Sequence, residues 1–219
     1  MEKRSTQLLR SWKRLAAELV VVFLGVYGAF WVENYRDQQD QIDRTEQVIL
    51  ALQQDLRDYV EVTDAFNKHV EDGLRDWAGA RESGEAPAPF VFRIYGAETP
   101  PLSTWEVVRQ AGLAELLQAN LLYELGFFYN EIAGMGARYI RYAEFTESEV
   151  LPLAKIGSAS FYSADGKLLP RFAAHMDRLR ELGNFMGESV EWASCILERL
   201  ESADERTATC RRDVGVTPM

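Results

Sequence analysis

One long apolar stretch constrains how this chain can fold more than any other feature. Residues 15–32, LAAELVVVFLGVYGAFWV, contain a single charged side chain, Glu18. As a helix the stretch rises about 27 Å at 1.5 Å per residue, close to the roughly 30 Å hydrocarbon layer of a membrane. Trp31 and Tyr35 lie at its end, where amphipathic aromatic residues favour the membrane interface. The sequence therefore predicts a transmembrane anchor over residues 15–35.

The charge distribution predicts the orientation of this anchor. Residues 1–14 carry a net charge of +4, and because the whole chain is at -10, residues 15–219 sum to -14. Basic flanks are retained on the cytoplasmic side of a membrane. We therefore expect a bacterial inner-membrane protein with a cytoplasmic tail over residues 1–14 and its acidic bulk in the periplasm.

A cleaved signal peptide is the alternative interpretation of the same stretch. A basic region, an apolar region and small residues near Gly28 are all present, as such a peptide requires. The cleavage site is nevertheless a poor match, and the bulky residues Phe30 and Trp31 follow it directly. These features favour an uncleaved anchor.

Beyond the anchor, composition predicts one folded domain over residues 36–203, followed by a C-terminal tail over residues 204–219. The chain is 47% hydrophobic and 26% charged, which is typical of a globular protein and not of a disordered one. A strongly acidic domain without a basic stripe repels nucleic acid. We expect no nucleic-acid partner.

The anchor helix is predicted to continue far beyond residue 35. After Ala29 no glycine occurs until Gly73 and no proline until Pro87. Apolar residues follow a seven-residue repeat that is interrupted at Thr45 and Thr63, and a bundle helix and a dimeric coiled coil both fit this pattern. We favour the bundle, because the chain contains further apolar helices. The repeat consists of Ile42, Ile49, Leu56, Val70 and Trp77 in one position and Leu52, Tyr59 and Phe66 in the other.

The rest of the chain predicts an all-α fold with one insertion. Glycines and prolines over residues 84–101 interrupt any helix, and this insertion near residues 85–101 is either irregular or a short β segment. A capping box at residues 103–106 starts a short helix, and Asn120 can cap a longer helix that begins at Leu121 and ends before Pro152. A last helix is expected over residues 168–200. The predicted architecture is an antiparallel helical bundle.

Two cysteines, Cys195 and Cys210, lie fifteen positions apart near the C-terminus. In an oxidising compartment they could pair and hold the tail onto the last helix. Two free thiols are an equally good interpretation, because spacing alone does not give the geometry that a disulfide requires.

Three residues of the anchor form a candidate membrane partner interface. The favoured interpretation is that Glu18 reaches the cytoplasmic interface or pairs with Arg14 one turn earlier. The alternative is a buried partner contact or an ion-path residue within a larger membrane complex. Gly25 and Ala29 are four positions apart and form a face on which a second helix can approach closely. The expected partners are the lipid bilayer and either a second copy of the chain or another membrane protein.

The sequence contains no recognisable catalytic, cofactor or metal motif. The two histidines, His69 and His175, lack neighbours at the helical spacing of a known metal motif. We therefore expect no enzyme activity, no cofactor and no metal.

The anchor and one internal block resemble a family of small, uncharacterised bacterial single-span inner-membrane proteins. The anchor likeness lies in Glu18, Gly25, Ala29, Trp31, Glu33 and Asn34. The internal likeness lies in residues 104–113, Asn120, Tyr129 and Asn130, and the two together cover about two thirds of the chain. This resemblance implies an anchor followed by a periplasmic helical domain and gives no catalytic residue.

Two functions are compatible with these features. The first is a non-catalytic accessory or interaction subunit that acts through helix–helix contacts with itself or with a larger membrane complex. The second is a sensor-like helical bundle that binds a ligand in an aromatic pocket lined by Trp105, Phe128 and Tyr129. A flat apolar patch would favour the first function, and a closed pocket with converging polar groups would favour the second.

Overall fold

The structure is a computed structural model that describes residues 3–94, 104–202 and 210, with side chains at residue 19 and from residue 22 onward within these ranges. The described residues are mostly helical and contain no strand, which confirms the all-α class. By its internal contacts the chain divides into residues 1–47 and residues 48–219.

The first unit is helical from residue 3 to its end. It belongs to α1, which spans Lys3–Glu82. The predicted continuation of the first helix to the 80s is therefore confirmed. From residue 22 to residue 44 every described side chain is exposed. The helix ends just before Gly84, whose positive φ of 89° is a backbone conformation that glycine adopts without strain.

No helix in the described part of the chain is long and apolar enough to cross a membrane. The uncharged run from Leu19 to Val32 is 14 residues long, and Glu33, Arg36 and Asp37 follow it. A span needs about 20 mainly apolar residues. The predicted single-pass anchor over residues 15–35 is therefore wrong, and so is the inner-membrane localisation with a periplasmic bulk that depended on it.

The second unit contains the remaining helices. Two short 3₁₀ helices and one π-helical turn separate or extend them. The α-helices are α2 (Thr104–Gln110), α3 (Ala119–Phe145), α4 (Leu151–Ala154) and α5 (Pro170–Glu201). The 3₁₀ helices are Leu113–Leu116 and Ser158–Phe161, and the π-helical turn is Thr146–Val150.

The largest core cluster of the second unit joins α1, α3 and α5. Leu52 and Leu56 of α1, Leu125 and Phe128 of α3 and Ile196 of α5 are all completely buried. The seven-residue repeat accounts for the burial of Leu52 and Leu56, because it places them on one face of α1. Side chains of the three helices contact one another in this cluster.

The directions of the helices follow from their contacts. Gln53 Nε2 donates to the Leu200 carbonyl at 2.9 Å, whereas Val70, further along α1, lies beside Gly183, earlier in α5. The α1 and α5 contacts therefore run in opposite directions. The contacts of α3 and α5 do the same, because Glu124 pairs with Arg199 near one end and Tyr142 stacks on His175 near the other.

Two smaller clusters complete the interior of the second unit. One contains Val70, Tyr142 and Leu179 together with Phe92, which lies outside any helix. The other surrounds Phe161 and Phe172, whose rings meet edge to face at 4.8 Å. Both clusters depend on residues that join the long helices, so these connections are part of the core.

Residues 85–94, here called the strap, form neither helix nor strand. The remainder of the predicted insertion, residues 95–101, lies outside the described residues. Tyrosine hydroxyl groups bind the strap backbone at three points. The amide of Phe92 donates to Tyr142 Oη at 3.1 Å, the amide of Ile94 donates to Tyr139 Oη at 2.6 Å, and Tyr162 Oη donates to the Pro87 carbonyl at 2.5 Å.

Gly73 of α1 gives the strap room to approach the helix. A Cβ atom at this position would overlap the ring of Phe90. The absence of a side chain at residue 73 therefore allows Phe90 to lie directly against the helix backbone.

Candidate functional site

The predicted partner-interface residues lie in the first unit. The side chain of Glu18 is outside the described residues. Gly25 has nothing within 4 Å of the point where a Cβ would stand, and Ala29 is exposed. Both positions of the small-residue face are therefore open to another helix.

Large apolar side chains surround these two positions, and all of them are more than half exposed. They lie on every side of the helix, which is typical of a helix that is buried in its functional state. No other described side chain covers them. The set consists of Leu19, Val22, Phe23, Leu24, Val26, Tyr27, Phe30, Trp31, Val32 and Tyr35.

The three residues of the predicted aromatic pocket contact one another in the main core. The rings of Trp105 and Tyr129 stack at 5.8 Å with only 3° between their planes. Phe128 is completely buried, and its ring meets Tyr59 at 5.4 Å and Trp192 at 5.3 Å, edge to face. These side chains fill the space between α1, α2, α3 and α5.

Asp55 accepts two hydrogen bonds beside this aromatic group. Tyr129 Oη donates to Oδ2 at 2.5 Å, and Thr104 Oγ1 donates to Oδ1 at 2.9 Å. Burial, and then the hydrogen bond and charge of Asp55, raise the pKa of Tyr129. The tyrosine therefore stays protonated, and its hydrogen bond to Asp55 joins α3 to α1.

Cys195 and Cys210 form a disulfide with a Cα–Cα distance of 5.7 Å. The bond places the amide of Cys210 beside Glu124, and this amide donates to Glu124 Oε1 at 2.7 Å. Glu124 also forms a buried ion pair with Arg199. The disulfide is thus connected to an ion pair between α3 and α5, a relation that the sequence spacing did not indicate.

His175 is a completely buried histidine on α5. Its ring stacks on Tyr142 at 4.3 Å, and Nε2 lies 3.2 Å from Thr146 Oγ1 in the π-helical turn. Burial, with the positive charge of Arg178 as the second cause, lowers the pKa of His175 to about 4. The imidazole is therefore neutral at pH 7.

His69, the other histidine, lies against the rings of Phe90 and Phe92 at 5.8 and 6.0 Å. Over residues 3–94, 104–202 and 210, no group of three or more histidine, cysteine or carboxylate side chains is placed to hold a metal ion. His69 and His175 thus have aromatic surroundings in this part of the chain.

A cavity of about 370 Å³ opens between α3 and α5, and none of the predicted site residues is among the described residues that line it. Three arginines border it, Arg138 and Arg141 from α3 and Arg178 from α5. This cavity was not predicted from the sequence. The available signal was the three-residue spacing of Arg138 and Arg141 in an acidic chain, but their proximity to Arg178 depends on how the two helices pack.

No protein-family model matches this chain, and no curated protein or solved structure matches it either. The resemblance to single-span membrane proteins stays a prediction. The geometry of the described residues is therefore the basis for any assignment of function.

Proposed function

We propose that this chain is a non-catalytic interaction protein that associates with further copies of itself through helical residues 19–35. In this proposal residues 48–202 form an antiparallel helical bundle, and the apolar helix of the first unit is the contact surface. The proposal keeps helix–helix contact as the mode of action and does not include a membrane anchor.

The observation that carries the proposal is the exposure of large apolar side chains on the first unit. Trp31 is 71% exposed, and Phe23, Tyr27 and Phe30 are each 67% exposed. Monomeric soluble proteins rarely leave contiguous apolar patches of more than a few hundred Å² uncovered. A surface of this kind is expected to be buried in an assembly.

The area is large enough for a stable interface. An aromatic side chain presents roughly 150–250 Å², so the exposed aromatic and aliphatic residues together present on the order of 1,000 Å² per chain. A standard interface buries about 800 Å² per partner. Association through this segment therefore needs no other surface of the chain.

The pattern along the helix favours a second helix of the same sequence as the occupant. The seven-residue repeat of α1, extended back from residue 42, places Leu24, Gly28, Trp31 and Tyr35 on one seam. Identical seams can pack against each other by symmetry, as in parallel coiled coils. The small residues Gly25 and Ala29 are adjacent to this seam and allow a close approach of two backbones.

The bundle part of the proposal is supported by the contacts of the second unit. Tyr59 Oη and Ser189 Oγ lie 2.7 Å apart, and Phe128 meets Trp192, so α5 contacts both α1 and α3. With α5 opposite in direction to the other two, three long helices enclose one core. In this proposal residues 48–202 fold as one bundle and take no part in self-association, which uses residues 19–35.

Sedimentation analysis of the full chain tests the proposed self-association. The variant Leu24→Glu/Trp31→Glu places two carboxylates in the seam, and Ile156→Glu is the matched control because Ile156 is 76% exposed in the second unit. We expect the unmodified chain and the control to sediment as oligomers at micromolar concentration, and the double variant to sediment as a monomer with unchanged helical circular dichroism. A monomeric unmodified chain would assign the surface to a different partner and overturn the proposal, and so would an oligomeric double variant.

A further inference from the structure

The cavity between α3 and α5 brings together three guanidinium groups. Arg138 and Arg141 are three positions apart on α3 and therefore share a face of that helix, and Arg178 borders the cavity from α5. The chain as a whole is acidic, with 34 carboxylate residues against 24 basic ones. The positive charge of this groove is therefore opposite in sign to the net charge of the chain.

The three arginines are not neutralised by neighbouring carboxylates. Among the residues that the structure describes, none of them has a carboxylate oxygen within 4 Å, although other arginines of the same helices do, such as Arg180 with Asp177 at 2.6 Å. Glu181 is the single acidic residue among the described residues that line the cavity. The groove therefore carries an excess of two positive charges that a bound anion would balance.

The remaining wall of the cavity is apolar. Met135 and Phe185 contribute to it, and so do the buried residues Tyr142 and Leu182. The guanidinium of Arg138 lies over the Phe185 ring, 6.0 Å from its centre. This contact holds one positive group at the boundary between the charged rim and the apolar wall.

We propose that this groove binds a small amphipathic anion, with a phosphate or carboxylate head on the arginines and an aromatic or short aliphatic part on the apolar wall. Arginine suits both heads because its planar guanidinium can bind two oxygens at once. The volume of about 370 Å³ lies at the lower end of the range for ligand sites, which limits the ligand to about the size of one ring and its head group. This binding is independent of self-association through residues 19–35.

Isothermal titration of the full chain with phenyl phosphate and with benzoate tests the proposal, and phenol serves as the neutral analogue. We expect at least one of the two anions to bind with a dissociation constant below 1 mM and phenol to bind at least tenfold more weakly. The two anions distinguish a phosphate head from a carboxylate head. Absence of binding by both anions at millimolar concentration, or equal binding of phenol, would overturn the proposal.

Three variants connect the binding to this groove. Arg138→Gln/Arg178→Gln should weaken anion binding at least tenfold, whereas Arg180→Gln, on the same helix but not on the cavity wall, should leave it within twofold. Glu181→Gln should strengthen binding two- to fivefold, because it removes a negative charge from the wall. Unchanged affinity in the double variant, or weaker binding in Glu181→Gln, would place the anion elsewhere and contradict the assignment.

Discussion

Glu124 and Arg199 form an ion pair in the interior of the second unit, between α3 and α5. Their side chains are 8% and 5% exposed. Glu124 also accepts the amide hydrogen of Cys210, so the carboxylate has charge and hydrogen-bond partners on two segments. A buried ion pair adds little net stability, but removal of one partner leaves a charge in the interior and is costly.

Replacement of Glu124 by glutamine should therefore destabilise the protein strongly. We expect Glu124→Gln to lower the free energy of unfolding by roughly 3 kcal/mol, because the substitution removes the buried carboxylate that pairs with Arg199. Urea unfolding followed by circular dichroism measures this change. The control is Asp72→Asn, which breaks the exposed pair with Arg75 and should cost less than about 1 kcal/mol. Equal costs for the two variants would contradict the expected role of burial.

Removal of the disulfide should also lower stability, and it should change the contribution of the ion pair of Glu124 to stability. A closed loop of this length contributes about 3 kcal/mol in the chain-entropy account, with the cysteines 15 positions apart. We expect Cys195→Ser/Cys210→Ser to lose about that amount in urea unfolding. If the Cys210 amide supports the ion pair, this variant and Glu124→Gln should be non-additive in a double-mutant cycle. Strict additivity would show that the tail and the ion pair are energetically independent.

Two glycines of α1 should respond in opposite ways to the same substitution. Gly73→Ala should lower the melting temperature, because its Cβ overlaps the Phe90 ring and displacing that ring costs about 1–3 kcal/mol. Gly79→Ala, with nothing within 4 Å, should raise stability by up to about 1 kcal/mol through helix propensity. Thermal unfolding measures both. A stabilising Gly73→Ala substitution would show that the strap does not need its close approach to α1.

Stability should fall in acid as His175 gains a proton. The pKa of His175 is lowered from 6.5 to about 4, so between these pH values the unfolded chain binds a proton that the folded chain does not. The stabilisation is therefore complete above pH 6.5 and is lost as the pH falls towards 4, by roughly 3 kcal/mol in total. His175→Phe keeps a ring against Tyr142 and does not titrate. The difference in unfolding free energy between the two proteins should change over this pH range, and a constant difference would contradict the expectation.

Larger side chains on the small-residue face should weaken self-association. Gly25→Leu/Ala29→Leu separates two helix backbones that approach at these positions, and we expect at least a tenfold weaker association in sedimentation experiments. The second unit should keep its melting temperature. Ala51→Leu is the control, because Ala51 is an exposed alanine of α1 in the second unit. Unchanged association in the double variant would place the contact on another face of the helix.

The helical framework was largely predictable because it depends on local patterns. The seven-residue repeat correctly identified Leu52, Leu56 and Val70, all of which are completely buried. It also placed Thr63 on the same seam, and Thr63 is buried too. Ile42 has the same place in the repeat but is 57% exposed, because a repeat identifies a face of a helix and not the element that covers it.

The predicted helix boundaries differed from the structure where local signals compete. Asn120 was expected to cap a helix beginning at Leu121, but α3 begins at Ala119, and Asn120 Oδ1 accepts from the neighbouring amide of Leu121. Pro152 was expected to end this helix. It instead lies at the start of α4, directly after the π-helical turn, where its missing amide hydrogen is tolerated.

The arginine groove and the ion pair could not be predicted from the sequence. Arg178 lies 37 positions from Arg141, and Glu124 lies 75 positions from Arg199. Such pairs meet only through the packing of α3 against α5, and a periodic pattern contains no information on which charged side chains face each other. The aromatic residues Phe128 and Tyr129 could be singled out from the sequence. Their position in the core is known only from the structure.

The hydrogen bonds from tyrosines to the strap have a consequence for protease cleavage. Proteases require several residues of extended backbone that can leave the surface and enter their active site. The amides of Phe92 and Ile94 are bound by hydroxyl groups of α3, and the carbonyl of Pro87 is bound by Tyr162, so extraction of this segment would break all three bonds. Residues 87–94, despite their irregular conformation, should therefore resist digestion as long as α3 remains folded.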